Sequence, residues 1–298
     1  MPLESNSNKN KKLRAALLSV IVSTFLICIK LVFGFLTNSI SIFASAVDSF
    51  LDLSASSVNY FSIRKAEKPA DREHRFGHGK AEGLAGLFQS FVIGISSLYL
   101  IYISIKRIFI GTTIESLNSG IFIMVFSTVV SHVLATHLKK IAKETDSIAL
   151  NADSLHYRAD VYTSSSVIIG LIIIRFSGLV LIDSIISICI ALYIIWSSLS
   201  VLNESVDILM DKELPKETLE EVKEIILNHK PLVKSFHKMR TRRSGSKRFI
   251  EFHLVVDHKL SFVESHDLAE DIIKDIEGKV PNADVTVHVD PHSFPDYS

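Results

Sequence analysis

Asp48 and Asp52 stand four residues apart in "SAVDSFLDLSASS", and His156 and Asp160 stand four apart in "DSLHYRADVY". Four-residue spacing puts two side chains on one face of a helix. Both stretches lie in segments that read as membrane helices, where a carboxylate is costly and marks a function. Two such helices face to face offer two or three carboxylates and one imidazole. That donor set suits tetrahedral zinc. Iron(II), cadmium, cobalt and manganese can use the same donors, because affinity order alone does not select among them. Polar contact between helices is the bland explanation of Asp48 and Asp52, and it weakens once His156 and Asp160 are counted.

Two further clusters carry metal-binding residue types. The loop "DREHRFGHG" brings Asp71, His74 and His78 close in sequence. In the strand pattern "RFIEFHLVV", Phe252, Leu254 and Val256 share one face, while Glu251 and His253 share the other. In "DVTVHVD", Val285, Val287 and Val289 oppose Thr286, His288 and Asp290. His237 and His266 could join His253, His288 and Asp290. For His266, on the apolar side of its helix with Phe262, Ala269 and Ile273, the alternative is a buried, hydrogen-bonded core histidine. Asp153, a turn before His156, is expected to face cytoplasmic water and is not taken as a ligand.

The elements that must hold these residues follow from hydropathy. The chain has 298 residues, formal net charge zero and 48% hydrophobic residues, with mean hydropathy +0.33. Apolar runs fill the first two thirds and charges crowd the last third, which predicts a membrane domain followed by a soluble one. Candidate spans fall at 13–36, 40–63, 82–107, 114–138, 148–174 and 179–202. The second and fifth are rich in Ser, Ala and Asn and carry the charged pairs, so they are expected to be interior. Lys and Arg concentrate in the N-terminal segment and in the loops after the second and fourth spans, which predicts cytoplasmic termini. The N-terminal run shows no small-residue cleavage site and is expected to stay as a span. After Asp211 the pattern reads α-β-β-α-β, a small α+β domain. The expected divisions are 1–208 (membrane domain), 209–292 (soluble domain carrying the strand histidines) and 293–298 (a loose tail). Cys28 and Cys189 sit in apolar runs and suggest neither a disulfide framework nor a thiolate site. The balanced charge and lack of a basic stripe give no sign of a nucleic-acid partner.

The stretches "SIFASAVDSFLD", "DREHRFGHGKAEGLAG", "DSLHYRADVYTSS", "FHKMRTRRSG", "RFIEFHL" and "VHVDPH" resemble the cation diffusion facilitator family of divalent-metal transporters, over nearly the whole chain. The likeness is greatest to its bacterial zinc and ferrous-iron efflux branch. The resemblance implies a homodimer in the bacterial inner membrane. Each chain has six spanning helices and a cytoplasmic domain of metallochaperone-like α+β fold. It implies exchange of a divalent cation for protons. It puts the transport site on Asp48, Asp52, His156 and Asp160, and the loop site on Asp71, His74 and His78. The cytoplasmic site, holding two zinc ions near the dimer interface, falls on His237, His253, His266, His288 and Asp290.

The physics of such a site favours antiport. Carboxylates crowded where water is scarce hold protons when no metal is present, and a divalent cation expels them on binding. Small residues such as Ala44, Ser45, Ser49, Ser56 and Ser164 permit close helix contacts during alternating access. A membrane metallohydrolase is disfavoured: HExxH is absent and four protein ligands leave no open position for water. A sensor without transport leaves the intramembrane site unexplained. A passive channel is poorly served by a tight four-ligand site. No organic cofactor is expected.

Overall fold

A computed structural model of the chain describes residues 2–37, 40–110, 118–177 and 180–292. The expected 293–298 tail lies outside the described residues. Two compact units form, Met1–Val206 and Asp207–Ser298.

The first unit is helical. Its elements are α1 (Pro2–Thr37), α2 (Ile40–Ala66), α3 (Lys80–Ile110), α4 (Asn118–Thr145), α5 (Ile148–Ser177) and α6 (Val180–Leu209). Each exceeds the length needed to cross a bilayer, about 20 residues. Among the described residues, Ser7–Leu36, Lys80–Phe109 and Ser184–Leu209 are also apolar enough by composition alone. The stretches carrying the paired aspartates and histidine lie on α2 and α5, where polar residues lower the hydropathy. Such helices are tolerable in lipid when neighbours cover them. α5 packs against α1, α2, α3 and α4, and α2 packs against α1, α3 and α5. Ile148, Ala149, Leu150, Ala152, Asp153, Ser154, His156 and Tyr157 are all buried, so the first turns of α5 are covered on every side.

Close helix approach has a local cause at Gly86. A Cβ there would lie 2.5 Å from Ser205 Oγ and 3.2 Å from Ile148 Cγ1, so an added methyl would force the Ser205 hydroxyl to turn and Ile148 to give way. The outward faces carry large apolar side chains such as Phe25, Phe91, Ile95, Tyr102 and Trp196, as a lipid-facing surface requires.

The second unit runs α7 (Lys216–Leu227), β1 (Val233–Ser244), β2 (Lys247–Val256), α8 (Phe262–Lys279) and β3 (Ala283–Pro291). This is the α-β-β-α-β order read from the sequence. β1 and β2 pair antiparallel through a two-residue turn in which Gly245 takes φ +62°. β2 and β3 pair parallel, so α8 is the crossover between them. Phe252, Leu254 and Val256 on β2 face Val222 and Ile226 of α7 and Ile272 and Ile276 of α8 in one core. The alternate positions of β2 and β3 are left for the histidines. Ser261 caps α8: its Oγ accepts from the Glu264 amide at 3.3 Å, and the Glu264 carboxylate accepts from the Ser261 amide at 2.8 Å.

Candidate metal sites

Inside the helical unit, Asp52 of α2 meets His156 and Asp160 of α5. His156 Nε2 lies 3.0 Å from Asp52 Oδ1 and 4.0 Å from Asp160 Oδ2. One donor atom from each of the three falls within 4.8 Å of the others. A tetrahedral ion with bonds of about 2 Å spaces its ligand atoms about 3.3 Å apart, so small side-chain adjustments would close the set. His156 is buried, and the two aspartates are partly so. Asp48 lies on α2 one turn before Asp52, but its side chain is outside the described residues.

Asp153 corrects the sequence expectation. It is fully buried instead of water-facing. Ser19 Oγ of α1 donates to it at 2.7 Å and Ser56 Oγ of α2 at 3.3 Å. The Tyr157 hydroxyl beside it meets Ser23 Oγ at 2.6 Å and Ser56 Oγ at 2.9 Å. Hydroxyls from two helices thus satisfy a carboxylate buried in the helix bundle, which is why its position near the helix start did not expose it.

A second group unforeseen from sequence gathers around Lys12. Its Nζ lies 2.8 Å from Glu82 Oε1 and 2.9 Å from Glu67 Oε1, and Ser147 Oγ donates to the other Glu82 oxygen. Lys12 and Glu82 are each 1% exposed. The readable signal was a 4-3-4-3-4 spacing on α1 through Lys12, Ala16, Ser19, Ser23, Leu26 and Lys30, a stripe with four polar members inside an apolar helix.

The loop cluster forms as expected. Asp71 Oδ1 accepts from the backbone amides of His74 at 2.7 Å and Glu73 at 3.0 Å, fixing a tight turn. The His74 amide is the main reason the Asp71 carboxyl is held below the usual carboxylate range. His74 Nδ1 and His78 Nε2 each lie 3.3 Å from an Asp71 oxygen, and the two rings are 4.5 Å apart. Gly77, at φ +81°, turns the chain so that His78 can fold back. His78 is buried, yet neither ring nitrogen makes a hydrogen bond. A buried imidazole facing a carboxylate without a hydrogen bond suits a metal-ligand position.

In the cytoplasmic unit, strand register builds the cluster. His237 pairs with His253, and His253 with His288, so three imidazoles stand in one row across the sheet. Ring centroids are 5.0 Å and 4.6 Å apart. Asp290 joins them: its Oδ2 lies 2.9 Å from His253 Nδ1 and 3.5 Å from His237 Nε2, and its Oδ1 lies 3.1 Å from His288 Nε2. Partial burial raises the Asp290 carboxyl, but the His253 hydrogen bond and the charges of His288, His253 and His237 together bring it below its ordinary value. One aspartate therefore reaches two histidines with one oxygen and a third with the other. His266 is not brought to this group. α8 buries Leu268, Ala269, Ile272 and Ile276, and His266 lies off that stripe, exposed, with Phe262 exposed one turn earlier. The expected apolar setting of His266 is thus not found.

This two-unit architecture matches known proteins in both parts. Residues 16–210 match the cation efflux transmembrane domain, and residues 214–292 match the cation efflux protein cytoplasmic domain. The chain belongs to the cation efflux, or cation diffusion facilitator, family: it is a membrane-integral cation efflux transporter with a helical transmembrane domain and a small cytoplasmic α+β domain. It is 36% identical over 279 residues to the cation-efflux pump FieF of Pectobacterium atrosepticum, covering 94% of this chain and 92% of that one. FieF of Citrobacter koseri is 36% identical over 280 residues, covering 94% and 93%. A solved structure of CzrB in its Zn form is 30% identical over 29% of this chain and 98% of its own, with a TM-score of 0.26.

Proposed function

We propose that the protein exports a divalent metal cation, zinc foremost and iron(II) or cadmium as alternatives, in exchange for protons by alternating access. The convergence of Asp52, His156 and Asp160 between two covered membrane helices carries this reading. Asp48, one turn from Asp52, is the fourth ligand. Nitrogen and oxygen donors in this ratio suit zinc and borderline cations, not calcium or magnesium, which favour all-oxygen shells.

Coupling follows from competition for the same atoms. Metal entering from the cytoplasm takes the carboxylate and imidazole lone pairs and sends their protons inward. Protons from outside then reload the ligands and release the metal. α2 and α5 carry the ligands, and a shift between two packings of these helices exposes the site to one side at a time.

Asp71, His74 and His78 hold a second ion in the loop. In the cytoplasmic domain, His237, His253 and Asp290 hold one zinc. His288, the other Asp290 oxygen and His266 hold another once His266 turns inward. The protein acts as a homodimer clamped through that domain, in the cell membrane of a bacterium, with both termini cytoplasmic. The functional division falls at 1–208 and 209–292, with 293–298 a tail.

The test is reconstitution in liposomes, with zinc uptake and internal pH recorded together and Asp160→Ala as the control. Opposed zinc and proton fluxes, both lost in the variant, support the reading. Zinc flux without proton movement overturns the antiport step.

A further inference from the structure

Lys30 is a charge in the membrane that the transport reading leaves unused. It is half-buried within the apolar span Ser7–Leu36 of α1. Its Nζ donates to Ser49 Oγ at 2.6 Å and to the Ser45 carbonyl at 3.3 Å, both on α2. Ser45, Ser49, Asp52 and Ser56 follow one another at spacings of 4, 3 and 4, which places them on one face of α2. That face brings Asp52 to His156 and Ser56 to Asp153 and Tyr157. The ammonium therefore meets the face of α2 that also carries Asp52, with Ser49 about one helical turn from Asp52.

An ammonium in a span is costly and rarely idle. Two roles are open to it: a cross-link between α1 and α2, or a counter-charge for the ligands. Formal charge favours the second. With Asp48, Asp52 and Asp160 ionised, one ammonium and one divalent cation bring the sum to zero. A neutral loaded site is the one whose occlusion from water on both sides costs least. A fixed positive charge near a divalent ion also weakens its hold, and a carrier must release what it binds.

We propose that Lys30 is a positioning residue of the transport site, a built-in counter-charge that sets how tightly the ligands hold a divalent cation. The inference rests on the transport-site reading above. It is tested on full-length protein in proteoliposomes, with zinc as the probe and KM and kcat read separately. Lys30→Met lowers KM for zinc by about tenfold or more, because the repulsion is gone, and lowers kcat as release slows. Lys30→Arg, which keeps the charge, restores both to near the parent values. Ser49→Ala removes one hydrogen bond but keeps the ammonium, and leaves KM within about twofold.

An unchanged or raised KM in Lys30→Met overturns the proposal and leaves a cross-link. If Lys30→Met does not yield folded protein, the other two variants decide. A Lys30→Arg protein with its KM for zinc displaced tenfold, or a Ser49→Ala protein that loses transport, overturns the counter-charge. Parent-like KM in both supports it. Asp160→Ala separates the two levels. Normal transport in that variant sinks the site itself, whereas its loss beside an unshifted Lys30→Met sinks only the role of Lys30.

Discussion

The intramembrane and cytoplasmic clusters use the same donors, aspartate and histidine, but different scaffolds position them. In the membrane, the clustered side chains come from α2 and α5, whose mutual placement depends on contacts between side chains. In the cytoplasmic domain, His237, His253 and His288 are locked in one row by backbone pairing of three strands. Shifting a helix past its neighbour changes ligand distances without breaking a backbone hydrogen bond. Shifting a strand by one residue breaks the ladder and turns every side chain to the opposite face. The first scaffold suits ligands that must let go, and the second suits ligands that must hold.

Four perturbations sharpen or break that contrast. The largest is Phe252→Ala. Phe252 is 2% exposed in the cytoplasmic core, and its truncation is expected to cost about 3–5 kcal/mol, melting the sheet. Thermal unfolding of the purified protein would show the loss, and zinc binding by the histidine row would go with it. Asp160→Ala comes next, with zinc flux down at least about 100-fold while the cytoplasmic domain still binds zinc. Equal loss at both sites would mean the two are not separately built.

Asp290→Ala should weaken cytoplasmic zinc binding by about 10- to 100-fold, since one carboxylate serves all three imidazoles of the row. Its effect on flux should be far smaller than that of Asp160→Ala, and a comparable loss would make the cytoplasmic ions part of the transport step. The smallest effect belongs to the cap of α8, where Ser261→Ala should cost about 1 kcal/mol at neutral pH. The Ser261 amide and hydroxyl hold the Glu264 carboxyl below its ordinary 4.5. The folded value is the depressed one, so this stabilisation is present above 4.5 and is lost as pH falls through the folded value. The Ser261 amide remains in the variant and the Glu264 amide's bond to Ser261 Oγ does not titrate, so denaturant melts should show both proteins weakening together below that range with most of their difference retained, and convergence would trace the cap to the carboxylate instead.

The sequence showed most where periodicity ties a residue to its own helix or strand. Asp52 with His156 and Asp160 was legible because a spacing of four fixes a helix face. His253 and Asp290 were legible because alternation fixes a strand face. What stayed hidden depends on contacts between elements. Asp153 looked like a residue near a helix end, and only the hydroxyls of Ser19 and Ser56 reveal how it tolerates full burial. Lys12 was counted among basic residues that orient the chain, while Glu82 lies 70 residues away in sequence. His266 was assigned to the wrong side of α8 because Phe262 was taken as a core residue, whereas the core stripe begins at Leu268.

Lys12 has one more consequence. Glu67 and Glu82, which its ammonium holds together, bracket the segment that carries Asp71, His74 and His78. The segment is thus a closed ring in the folded protein, and the chain entropy of joining its ends is lost before any ion arrives. An ion bound by this segment would order only the turn between two anchored points. Freed of the clasp, the whole turn would swing on a looser tether, and fixing it in place would cost more chain entropy.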